Sequence, residues 1–565
     1  MLKIKLRDEL FRLSFETGKA MIKRLDCDRL LAPCFEAMGK EPKKERYGGW
    51  EARGISGHTL GHYMSALSYL YDFDGDKWAY ETAFYCIDTL ASLQGENGYI
   101  SGFPEKDSFD NVFGDVDNFK AEGFELGGWW VPYYSLHKIF RGMLDIYEYM
   151  HYDKALEVSR KLGQWVSDTT KTLNEEQRLR LLKCEYGGMN DALARLYAFT
   201  NDSRFLIASR FFSEEKILEP LSRGEDKLTS LHANTQIPKV IGAMTLYEVA
   251  GEEKMLKAAE NFFDFVTRDR SYAIGGHSIS EHFEECGRET LATNTCETCN
   301  TNNMLQLCHK LWLRSHRGDY ADFAEKALVN HILASQDETG MKTYFVGMKP
   351  GNHKVYSTPE DSFWCCFGSG LENPFTYGRF ICDYDKKIYI NLYVPCEAEN
   401  EDISFILSET EEGSYALEFR KDYVGSVCLR KPVWCKDFRV KIGNGEYTEN
   451  ENGYVTVCAE FEKGAKIEIS APRNLCVHKK KDDENIVYFT YGEKVLAERI
   501  EGEMQKSDHA AGENDFTNQL CPDCEKLKSV EVKKTGNDEF SVDSHTLVPF
   551  YSIVHGRYRV YFETE

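Results

Sequence analysis

Residues 246–263 have the sequence LYEVAGEEKMLKAAENFF, a phrase that recurs in similar form four more times along the chain. An aromatic residue lies near the end of one helical stretch, a short polar link follows, and an amphipathic stretch containing alanine then resumes. The other copies are LYDFDGDKWAYETAF at 70–84, IYEYMHYDKALEVSRKL at 146–162, LYAFTNDSRFLIASRFF at 196–212 and LWLRSHRGDYADFAEKAL at 311–328. Each phrase therefore predicts two helices joined by a short link.

The number of these helix pairs predicts the architecture of the first two-thirds of the chain. With a further helical stretch near residues 10–22, the pairs predict roughly twelve helices before about residue 378. Six pairs close naturally into an (α/α)6 barrel, whose inner helices present long loops to one end. An open helical solenoid is the alternative. The candidate site residues fall in the irregular segments between pairs, where the mouth of a barrel is built.

After Gly378 the spacing of apolar residues changes to a period of two. Alternating segments such as KIYINLYV, GYVTVCAEF and NIVYFTYG are separated by Gly, Asn, Asp and Glu, a pattern that predicts short β-strands. We expect an (α/α)6 barrel over residues 1–378, a β-sandwich over 379–472 and a second, smaller β-sandwich over 473–565. The charged segment at 501–515 predicts a loop.

The composition limits the kinds of partner that the protein can have. With 565 residues, of which 42% are hydrophobic, the chain can fill two or three domain cores. The net charge of −23 would repel nucleic acid and anionic membranes, so we expect neither as a partner. A small neutral molecule, such as an oligosaccharide or glycoside, is favoured, and the predicted strands offer surface for a homodimer.

Two features predict a cytoplasmic protein. The N-terminal stretch MLKIKLRDELFRLSFETGKAMIKR is charged throughout and lacks the apolar region of a signal peptide, and no later stretch approaches a membrane span. The 18 cysteines are scattered, without the regular spacing of a small secreted disulfide framework.

Two short motifs form a candidate zinc site. Cys365 and Cys366 are adjacent in FWCCFG, and neighbouring Cα atoms, about 3.8 Å apart, suit an ordinary disulfide poorly. Glu297 and Cys299 in CETCNT alternate by two, which turns both side chains to one face of an extended segment. Three sulfurs and one carboxylate make an acceptable four-coordinate shell for Zn²⁺. Glu281 in SISEHF would supply a separate proton donor.

A structural zinc site is the competing interpretation of these cysteines. Cys296 and Cys299 form a Cys-x-x-Cys pair, which Cys521 and Cys524 would complete from far downstream. The two halves lie more than 200 residues apart, which weakens this interpretation. It would make the chain a non-catalytic protein stabilised by zinc, such as a carbohydrate-binding module.

Longer motifs carry a resemblance to a known family. They are GHTLGHYMSA at 57–66, GWWVPYYSLHKIFRG at 128–142, GGMNDALARLY at 187–197, the Glu-x-Cys and Cys-Cys motifs, and LRKPVW and LVPFYSIVHGRYRVYF in the strand-rich part. Over nearly its whole length the chain resembles the zinc-dependent cysteine β-L-arabinofuranosidases of glycoside hydrolase families 127 and 146. The resemblance implies that Cys365 is the nucleophile and Glu281 the general acid/base. It also implies the ligands of Zn²⁺, which are Glu297, Cys299, Cys365 and Cys366.

The chemistry of a zinc-bound thiolate agrees with these roles. A free cysteine has a pKa of about 8.5, and bound zinc removes its proton outright. Attack of the thiolate on the anomeric carbon needs a carboxylic acid to protonate the departing oxygen, and water then cleaves the thioglycosyl intermediate. Two inversions give net retention. The prediction is a retaining glycoside hydrolase that releases L-arabinofuranose from β-L-arabinofuranosides, with another furanoside or an acidic sugar as the alternative substrate.

The identity of the acid has its own alternatives. Glu284 and Glu285 lie close to Glu281 in the sequence, although the spacing of the family motif favours Glu281. An inverting barrel glycosidase that uses Glu281 with Asp191, and in which the thiols have no role, is a further possibility.

Histidines near the predicted barrel mouth are candidates for substrate binding. His137 in SLHK and His232 in SLHANTQIPK match family positions that hold sugar hydroxyls. His62 lies one helical turn after His58, and we expect it to line the cleft without binding zinc.

Further substrate contacts are predicted at Asn190 and Tyr344. Asn190 lies in EYGGMND, where the chain lacks a histidine that some family members carry; a helix-capping role is the alternative. Tyr344, Trp129 and Trp130 are candidates for stacking walls, and core packing is the alternative for each.

Overall fold

The computed structural model describes residues 2–443, 445–448, 451–501 and 521–565. The longer helices are Glu9–Arg24, Cys27–Ala37, His58–Asp74, Lys77–Leu93, Pro132–Met150, Asp153–Thr170, Glu175–Leu181, Met189–Thr200, Ser203–Phe211, Glu215–Ser222, Ala233–Ala250, Glu253–Thr267, Thr298–Ser315, Gly318–Ala327 and Cys365–Glu372. Shorter helical segments are Gly49–Arg53, Glu105–Ser108, Asp110–Phe113, Gly378–Ile381 and a π-helical turn at Leu328–Ile332. No helix in this described part of the chain is both long and apolar enough to cross a membrane.

Six inner helices form a closed ring. They are His58–Asp74, Pro132–Met150, Met189–Thr200, Ala233–Ala250, Thr298–Ser315 and Cys365–Glu372. Each contacts the next one along the chain, and the sixth contacts the first, so the ring is closed. The predicted (α/α)6 barrel is therefore confirmed and the open solenoid is wrong.

The repeated phrase marks the link between each inner helix and the outer helix that follows. Five inner helices end at a residue with a left-handed backbone, and these residues are Gly75, His151, Asn201, Gly251 and His316. The N–H of each donates to the carbonyl of the aromatic residue in the phrase, which is Tyr71, Tyr147, Tyr197, Tyr247 or Trp312. This left-handed cap satisfies a carbonyl at the helix end and reverses the chain.

Burial distinguishes the inner from the outer helices. Every residue of the inner helix Pro132–Met150 from Pro132 to Ile146 is buried. The outer helix Glu253–Thr267 buries only one stripe, spaced by three or four residues, with Met255, Ala258, Phe262 and Val266 in it. The inner helices are enclosed on all sides, whereas the outer helices bury one face and leave the other to solvent.

The strand-rich part of the chain begins with two packed sheets. Among the described residues, a seven-stranded sheet has the strand order Lys3–Leu6, Cys396–Glu399, Ser404–Glu411, Ser414–Phe419, Lys466–Ser470, Arg439–Ile442 and Gly445–Tyr447. A four-stranded sheet has the order Tyr454–Phe461, Tyr423–Arg430, Ile388–Ile390 and Cys382–Tyr384. Side chains from the two sheets, such as Leu417 and Val457, share one apolar core.

The N-terminal strand was missed by the sequence analysis. Lys3–Leu6 pairs antiparallel with Cys396–Glu399 and so adds an edge strand to the seven-stranded sheet. Only Ile4 and Leu6 of this strand are buried. Four residues with two buried positions give too short an alternation to predict a strand, and the partner lies at the far end of the barrel sequence.

The residues after 473 form a further sheet that reaches back to the barrel. Its described strands are Leu475–Lys480, Asp483–Tyr491, Lys494–Ile500, Val532–Gly536, Glu539–Val542, His545–Pro549, Arg557–Arg559 and Phe562–Glu563, joined by Asn352–His353 from a barrel loop. Residue 501 follows the third of these strands, and the rest of the charged segment predicted as a loop, 502–515, lies outside the described residues.

Lys354 provides a test of the interface between the barrel and this sheet. Its ammonium group is buried, donates to the carbonyl of Ile553 and lies 4.6 Å from the centroid of the Phe550 ring. Burial lowers the pKa of Lys354 to about 7. Above about pH 7, the unfolded chain therefore binds a proton that the folded chain has released, and this difference lowers the free energy of unfolding. The loss becomes smaller as the pH rises towards the pKa of lysine in the unfolded chain.

We expect Lys354→Met to remove this pH dependence. From pH 7 to pH 10, the free energy of unfolding of the variant should fall relative to wild type by on the order of 3 kcal/mol. Urea denaturation at several pH values measures the difference. The lost hydrogen bond to Ile553 adds a constant term, so only the slope with pH is diagnostic, and a difference that does not change with pH would contradict the prediction.

Candidate active site

The candidate active site lies where the N-terminal ends of the six inner helices converge. A cavity of about 120 Å³ opens there. It is lined by Trp50, Ile55, Phe124, Trp130, Val131, Tyr134, Glu185, His232, Asn234, Glu281, Glu297, Tyr344 and Cys365. His232 and Glu297 are the N-cap residues of their helices, and Cys365 begins the sixth. Helix N-termini carry partial positive charge, so this end of the barrel favours anionic groups.

Four acidic side chains meet at the floor of the cavity. One carboxylate oxygen of Glu297 and the sulfurs of Cys299, Cys365 and Cys366 all lie within 4.8 Å of one another, and all four residues are buried. The Cys366 sulfur lies 3.7 Å from Oε1 of Glu297 and accepts the backbone N–H of Cys299 at 3.3 Å. The Glu-x-Cys and Cys-Cys motifs, far apart in the sequence, are thus one cluster.

The environment shifts the pKa values of the three thiols in different directions. Hydrogen bonds from Cys299 and Cys366 hold the pKa of Cys365 well below its ordinary value. Burial raises the pKa of Cys366 and of Cys299. Burial also raises the pKa of Glu297, and the nearby charge of Cys365 adds to this effect. Cys365 is therefore the thiol of this cluster that is best suited to act as a thiolate.

The cluster fits a divalent metal ion. Oε2 of Glu297 is buried and has no hydrogen-bond partner among the described residues. A buried polar atom without a partner is costly unless a ligand satisfies it, and four converging acidic groups repel one another once they ionise. Three thiols and one carboxylate at these separations match the donor types that bind zinc. Among the described residues, this is the one group of His, Cys, Asp and Glu with such convergence.

Glu281 lies across the cavity from Cys365, and Tyr344 bridges the two. The Tyr344 hydroxyl donates to Oε1 of Glu281, and the Cys365 sulfur lies 3.7 Å from the same hydroxyl. Glu281 has a left-handed backbone with φ of +68°, which is strained for this residue type. About a third of its side chain, 31%, is exposed. A carboxyl group that faces both the thiol and solvent can exchange a proton with a substrate and with water.

His232 contacts the other oxygen of Glu281. Its Nδ1 accepts the backbone N–H of Thr235 at 3.2 Å, which leaves the proton on Nε2, and Nε2 lies 3.7 Å from Oε2 of Glu281. Burial acts to lower the pKa of His232, but the carboxylates of Glu281 and Glu185 outweigh it and raise the pKa above its ordinary value. His232 therefore lies in the site as a donor towards carboxylates.

The two alternative acids have other contacts. The Glu284 carboxylate accepts the backbone N–H of Thr290 at 2.9 Å and the hydroxyl of Thr290 at 2.7 Å. The Glu285 side chain is 71% exposed and lies near Arg288. Neither residue lines the cavity, whereas Glu281 does.

The alternative structural zinc site is not formed. Cys296 is buried in a separate apolar cluster at the interface with the C-terminal sheet, and only Cys299 of the pair joins the acidic cluster. Cys524 donates to the carbonyl of Pro522. Within the described residues, Cys521 and Cys524 form no metal-binding group with Cys296.

The structure brings two of the five predicted substrate-binding residues to the cavity. His232 and Tyr344 line it, whereas His62, His137 and Asn190 do not. Nδ1 of His62 bonds to the carboxylate of Glu372, and the ring packs against Gly368 beneath the cysteine pair. His137 is buried against Gly187 and Gly188, and its Nδ1 has no hydrogen-bond partner in the described part of the chain.

The remaining candidates have contacts within the barrel wall. The Asn190 amide donates to the carbonyl of Lys239 at 2.9 Å. The Asp191 carboxylate accepts the hydroxyl of Thr245 and lines a different cavity from Glu281, so it is not placed to pair with Glu281. Trp130 lines the active-site cavity, while the indole N–H of Trp129 donates to the carbonyl of Asp107.

Seven lining residues were missed by the sequence analysis as site residues: Trp50, Ile55, Phe124, Val131, Tyr134, Glu185 and Asn234. Glu185 is 8% exposed and lines the cavity. Burial raises the pKa of Glu185. The signal in the sequence was the acidic residue before Gly187-Gly188, in the loop that leads into an inner helix.

Comparison with known proteins agrees with this fold. Residues 3–379 match the model of the β-L-arabinofuranosidase GH127 catalytic domain, and residues 387–473 match that of the GH127 middle domain. No curated protein sequence matches the chain significantly.

Two solved structures of GH127 enzymes are similar over the whole chain. The GH127 β-arabinofuranosidase BT3674 has a TM-score of 0.78 and 15% identity, covering 100% of this chain and 97% of its own. A GH127 β-L-arabinofuranosidase from Geobacillus stearothermophilus T6 has a TM-score of 0.73 and 15% identity, covering 100% of both chains. At this identity, the likeness shows a shared fold.

The matching family models show that this barrel, with its buried acid-thiol cluster, is that of a glycoside hydrolase. The chain belongs to the GH127 β-L-arabinofuranosidase family.

Proposed function

We propose that the protein is a retaining glycoside hydrolase that releases L-arabinofuranose from β-L-arabinofuranosides. The observation that carries the proposal is the placement of Cys365 and Glu281 on one cavity, each in contact with the Tyr344 hydroxyl. A nucleophile and an acid that flank one small cavity are what double displacement at an anomeric carbon requires. The β-L-arabinofuranosidase activity for which the GH127 family is named supports this choice of sugar.

The first step transfers the sugar to the enzyme. The Cys365 thiolate attacks the anomeric carbon and forms a C–S bond as the glycosidic C–O bond breaks, and Glu281 donates its proton to the departing oxygen. In the second step, Glu281 as a carboxylate takes a proton from water, and the resulting oxygen nucleophile forms a C–O bond while the C–S bond breaks. Each step inverts the anomeric carbon, so the product keeps the β configuration.

Zinc is the metal that the proposal assigns to the cluster of Glu297, Cys299, Cys365 and Cys366. When bound, Zn²⁺ would supply positive charge that keeps the thiols deprotonated and directs their sulfurs. Glu297 would bind the metal through Oε2, which has no hydrogen-bond partner among the described residues. The Tyr344 hydroxyl donates to Glu281 and so holds it towards Cys365.

The neighbouring polar groups suit the hydroxyls of a sugar. Glu185 lines the cavity as an acceptor, and His232 and Asn234 line it as donors. Trp50 and Trp130, with ring centroids 5.1 Å apart, form an apolar wall at the cavity. A small glycoside or oligosaccharide is therefore the proposed partner.

The cysteines favour a reducing compartment such as the cytoplasm. The chain has 18 of them, and none forms a disulfide in the structure.

The test is hydrolysis of 4-nitrophenyl β-L-arabinofuranoside by freshly reduced protein, followed by proton NMR during the first minutes. Turnover with β-configured L-arabinofuranose as the first product supports the proposal. Release of the α anomer would indicate inversion and would rule out the double displacement. If only another aryl furanoside or an acidic-sugar glycoside is cleaved with retention, the chemistry stands and the assigned sugar is wrong.

Removal of the metal gives a second expected result. Protein purified with Zn²⁺ should hold about one equivalent per chain, as one four-ligand group predicts. Treatment with a chelator should lower the thermal unfolding temperature, because metal binding stabilises the folded state, and added Zn²⁺ should restore it. Glu297→Gln should weaken retention of the metal by about 10- to 100-fold, and Glu285→Gln, an exposed control, should not. An unchanged affinity of Glu297→Gln for Zn²⁺, measured by competition with a chelator, would contradict the assigned ligand.

A further inference from the structure

The loop that carries Glu281 contacts a part of the chain outside the barrel as well as the barrel itself. This loop runs between the helices Glu253–Thr267 and Thr298–Ser315 and contains the left-handed Ser278, Ser280 and Glu281. Strained backbone of this kind persists only where the surrounding structure holds it in place. The barrel supports the middle of the loop, because the backbone N–H of Ala233 donates to the carbonyl of Glu281 at 2.7 Å. The two limbs on either side have a second support, which comes from outside the barrel.

Tyr561, near the C-terminus, contacts both limbs of this loop. Its hydroxyl accepts the backbone N–H of Ala273 on the first limb at 2.8 Å and donates to Oε1 of Glu289 on the second limb at 2.9 Å. Tyr561 is fully buried and Glu289 is 2% exposed. Buried hydrogen bonds to a carboxylate are among the stronger ones in proteins, and leaving one partner unpaired is costly.

Two lysines at the end of the strand Leu475–Lys480 contact the same two limbs of the loop. The backbone N–H of Lys481 donates to Oε2 of Glu289 at 2.9 Å, and its ammonium group donates to the carbonyl of Ser271 at 2.7 Å. The Lys480 ammonium donates to the carbonyl of Glu289 at 3.1 Å. Both oxygens of the Glu289 carboxylate are therefore held by the C-terminal sheet.

Cross-links inside the loop carry this support towards Glu281. The Tyr272 hydroxyl donates to the carbonyl of Thr290 at 2.8 Å, next to Ala273 and Glu289. Further along, the backbone N–H of Ser280 donates to the carbonyl of Asn294 at 3.0 Å, and the Asn294 amide donates to the Ser280 hydroxyl at 2.7 Å. Ser280 is the residue before Glu281, so the second of these cross-links lies directly beside the acid.

We propose that Tyr561 and Glu289 are positioning residues through which the C-terminal sheet sets the orientation of Glu281. The inference rests on the proposed role of Glu281 as general acid/base. Neither residue lines the cavity, so both act through the loop and not by contact with substrate. The C-terminal sheet is then a part of the catalytic apparatus, although it lies beyond the residues that match the two GH127 domain models.

The dependence of the rate on the leaving group tests this inference. A phenyl β-L-arabinofuranoside needs protonation of its departing oxygen, whereas a 2,4-dinitrophenyl one needs little, and kcat/KM reports the first bond cleavage for both. In Tyr561→Phe we expect kcat/KM for the phenyl glycoside to fall about tenfold, and that for the dinitrophenyl glycoside to change less than about twofold, because a misplaced acid loses part of its effect. Zinc content should stay unchanged.

A matched control removes a hydroxyl from the same sheet. The Tyr488 ring lies 5.5 Å from that of Tyr561, and its hydroxyl has no hydrogen bond to a described residue. Tyr488→Phe should therefore leave both rates unchanged. If Tyr561→Phe fails to fold, Lys481→Met removes one hydrogen bond from the first limb and should show the same selective loss to a smaller degree.

Two outcomes would overturn the inference. Equal losses for both glycosides in Tyr561→Phe would show a general structural effect, and unchanged rates would show that the contact has no influence on the acid. Glu281→Gln measured alongside separates this failure from that of the proposed function. If Glu281→Gln shows the leaving-group selectivity and Tyr561→Phe does not, only the positioning role fails; if Glu281→Gln lacks it, the assignment of the acid fails.

Discussion

Cys365→Ser is expected to lower kcat/KM on aryl β-L-arabinofuranosides by about 10⁴-fold or more, because a serine hydroxyl does not ionise where a thiol does. The thiols of Cys299 and Cys366 direct their hydrogen bonds at this sulfur and hold the pKa of Cys365 well below its ordinary value. The substitution is nearly isosteric, so we expect the barrel to stay folded, as judged by circular dichroism and thermal unfolding.

Mass spectrometry identifies the nucleophile directly. Wild-type enzyme denatured during turnover should carry a pentosyl group on the peptide that contains Cys365, and Cys365→Ser should carry none. Cys308→Ser is the matched control: Cys308 is also buried, donates to the carbonyl of Tyr320 and lies nine residues after Cys299 in the same helix. Cys308→Ser should keep the activity. Undiminished turnover in Cys365→Ser, with β-configured product, would contradict the assigned nucleophile.

Glu281→Gln is expected to lower kcat/KM on a phenyl glycoside by about 10²- to 10⁴-fold, the usual contribution of a general acid. A glutamine amide has no acidic proton to donate, yet it can still accept the hydroxyl of Tyr344, so the geometry of the site should persist. The loss should be much smaller for a dinitrophenyl glycoside, whose leaving group departs without protonation.

Azide provides a second measurement on the same variant. An external nucleophile needs no general base, so azide should restore turnover of the dinitrophenyl glycoside by Glu281→Gln and yield the β-glycosyl azide as product. Glu285→Gln, with a side chain that is 71% exposed, is the control and should behave as wild type. An α-configured azide product would contradict the thioglycosyl intermediate, and full activity of Glu281→Gln without azide would exclude Glu281 as the acid.

The helix pairs and the two halves of the zinc-type cluster were predictable from the sequence because their signals are local. The repeated phrase contains the whole link of a helix pair, including the aromatic residue whose carbonyl accepts the capping N–H, as Tyr247 does from Gly251. The alternation of Glu297 and Cys299 and the adjacency of Cys365 and Cys366 each determine which side chains point together.

Roles within the site were less predictable because they depend on which loops face one cavity. The sequence left Glu281, Glu284 and Glu285 as candidate acids. In the structure, the Thr290 hydroxyl donates to Glu284, and the Glu285 side chain is mostly exposed to solvent. Of the three, only Glu281 lines the cavity. His62 has the spacing of a cleft residue but bonds to Glu372 below the cysteines. Glu185 was not chosen as a site residue, although it begins the EYGGMND segment, because its importance comes from burial in the cavity wall with His232.

By itself, the sequence determined the helix pairs, the change to strands after Gly378 and the two acidic motifs, since each follows from residue spacing within one or two turns of backbone. Only the tertiary structure decided that the ring closes, that the two motifs share one floor, and that Tyr561 supports the loop of Glu281 from 280 residues away. Contacts between distant segments depend on packing of the whole chain, and no local pattern encodes them.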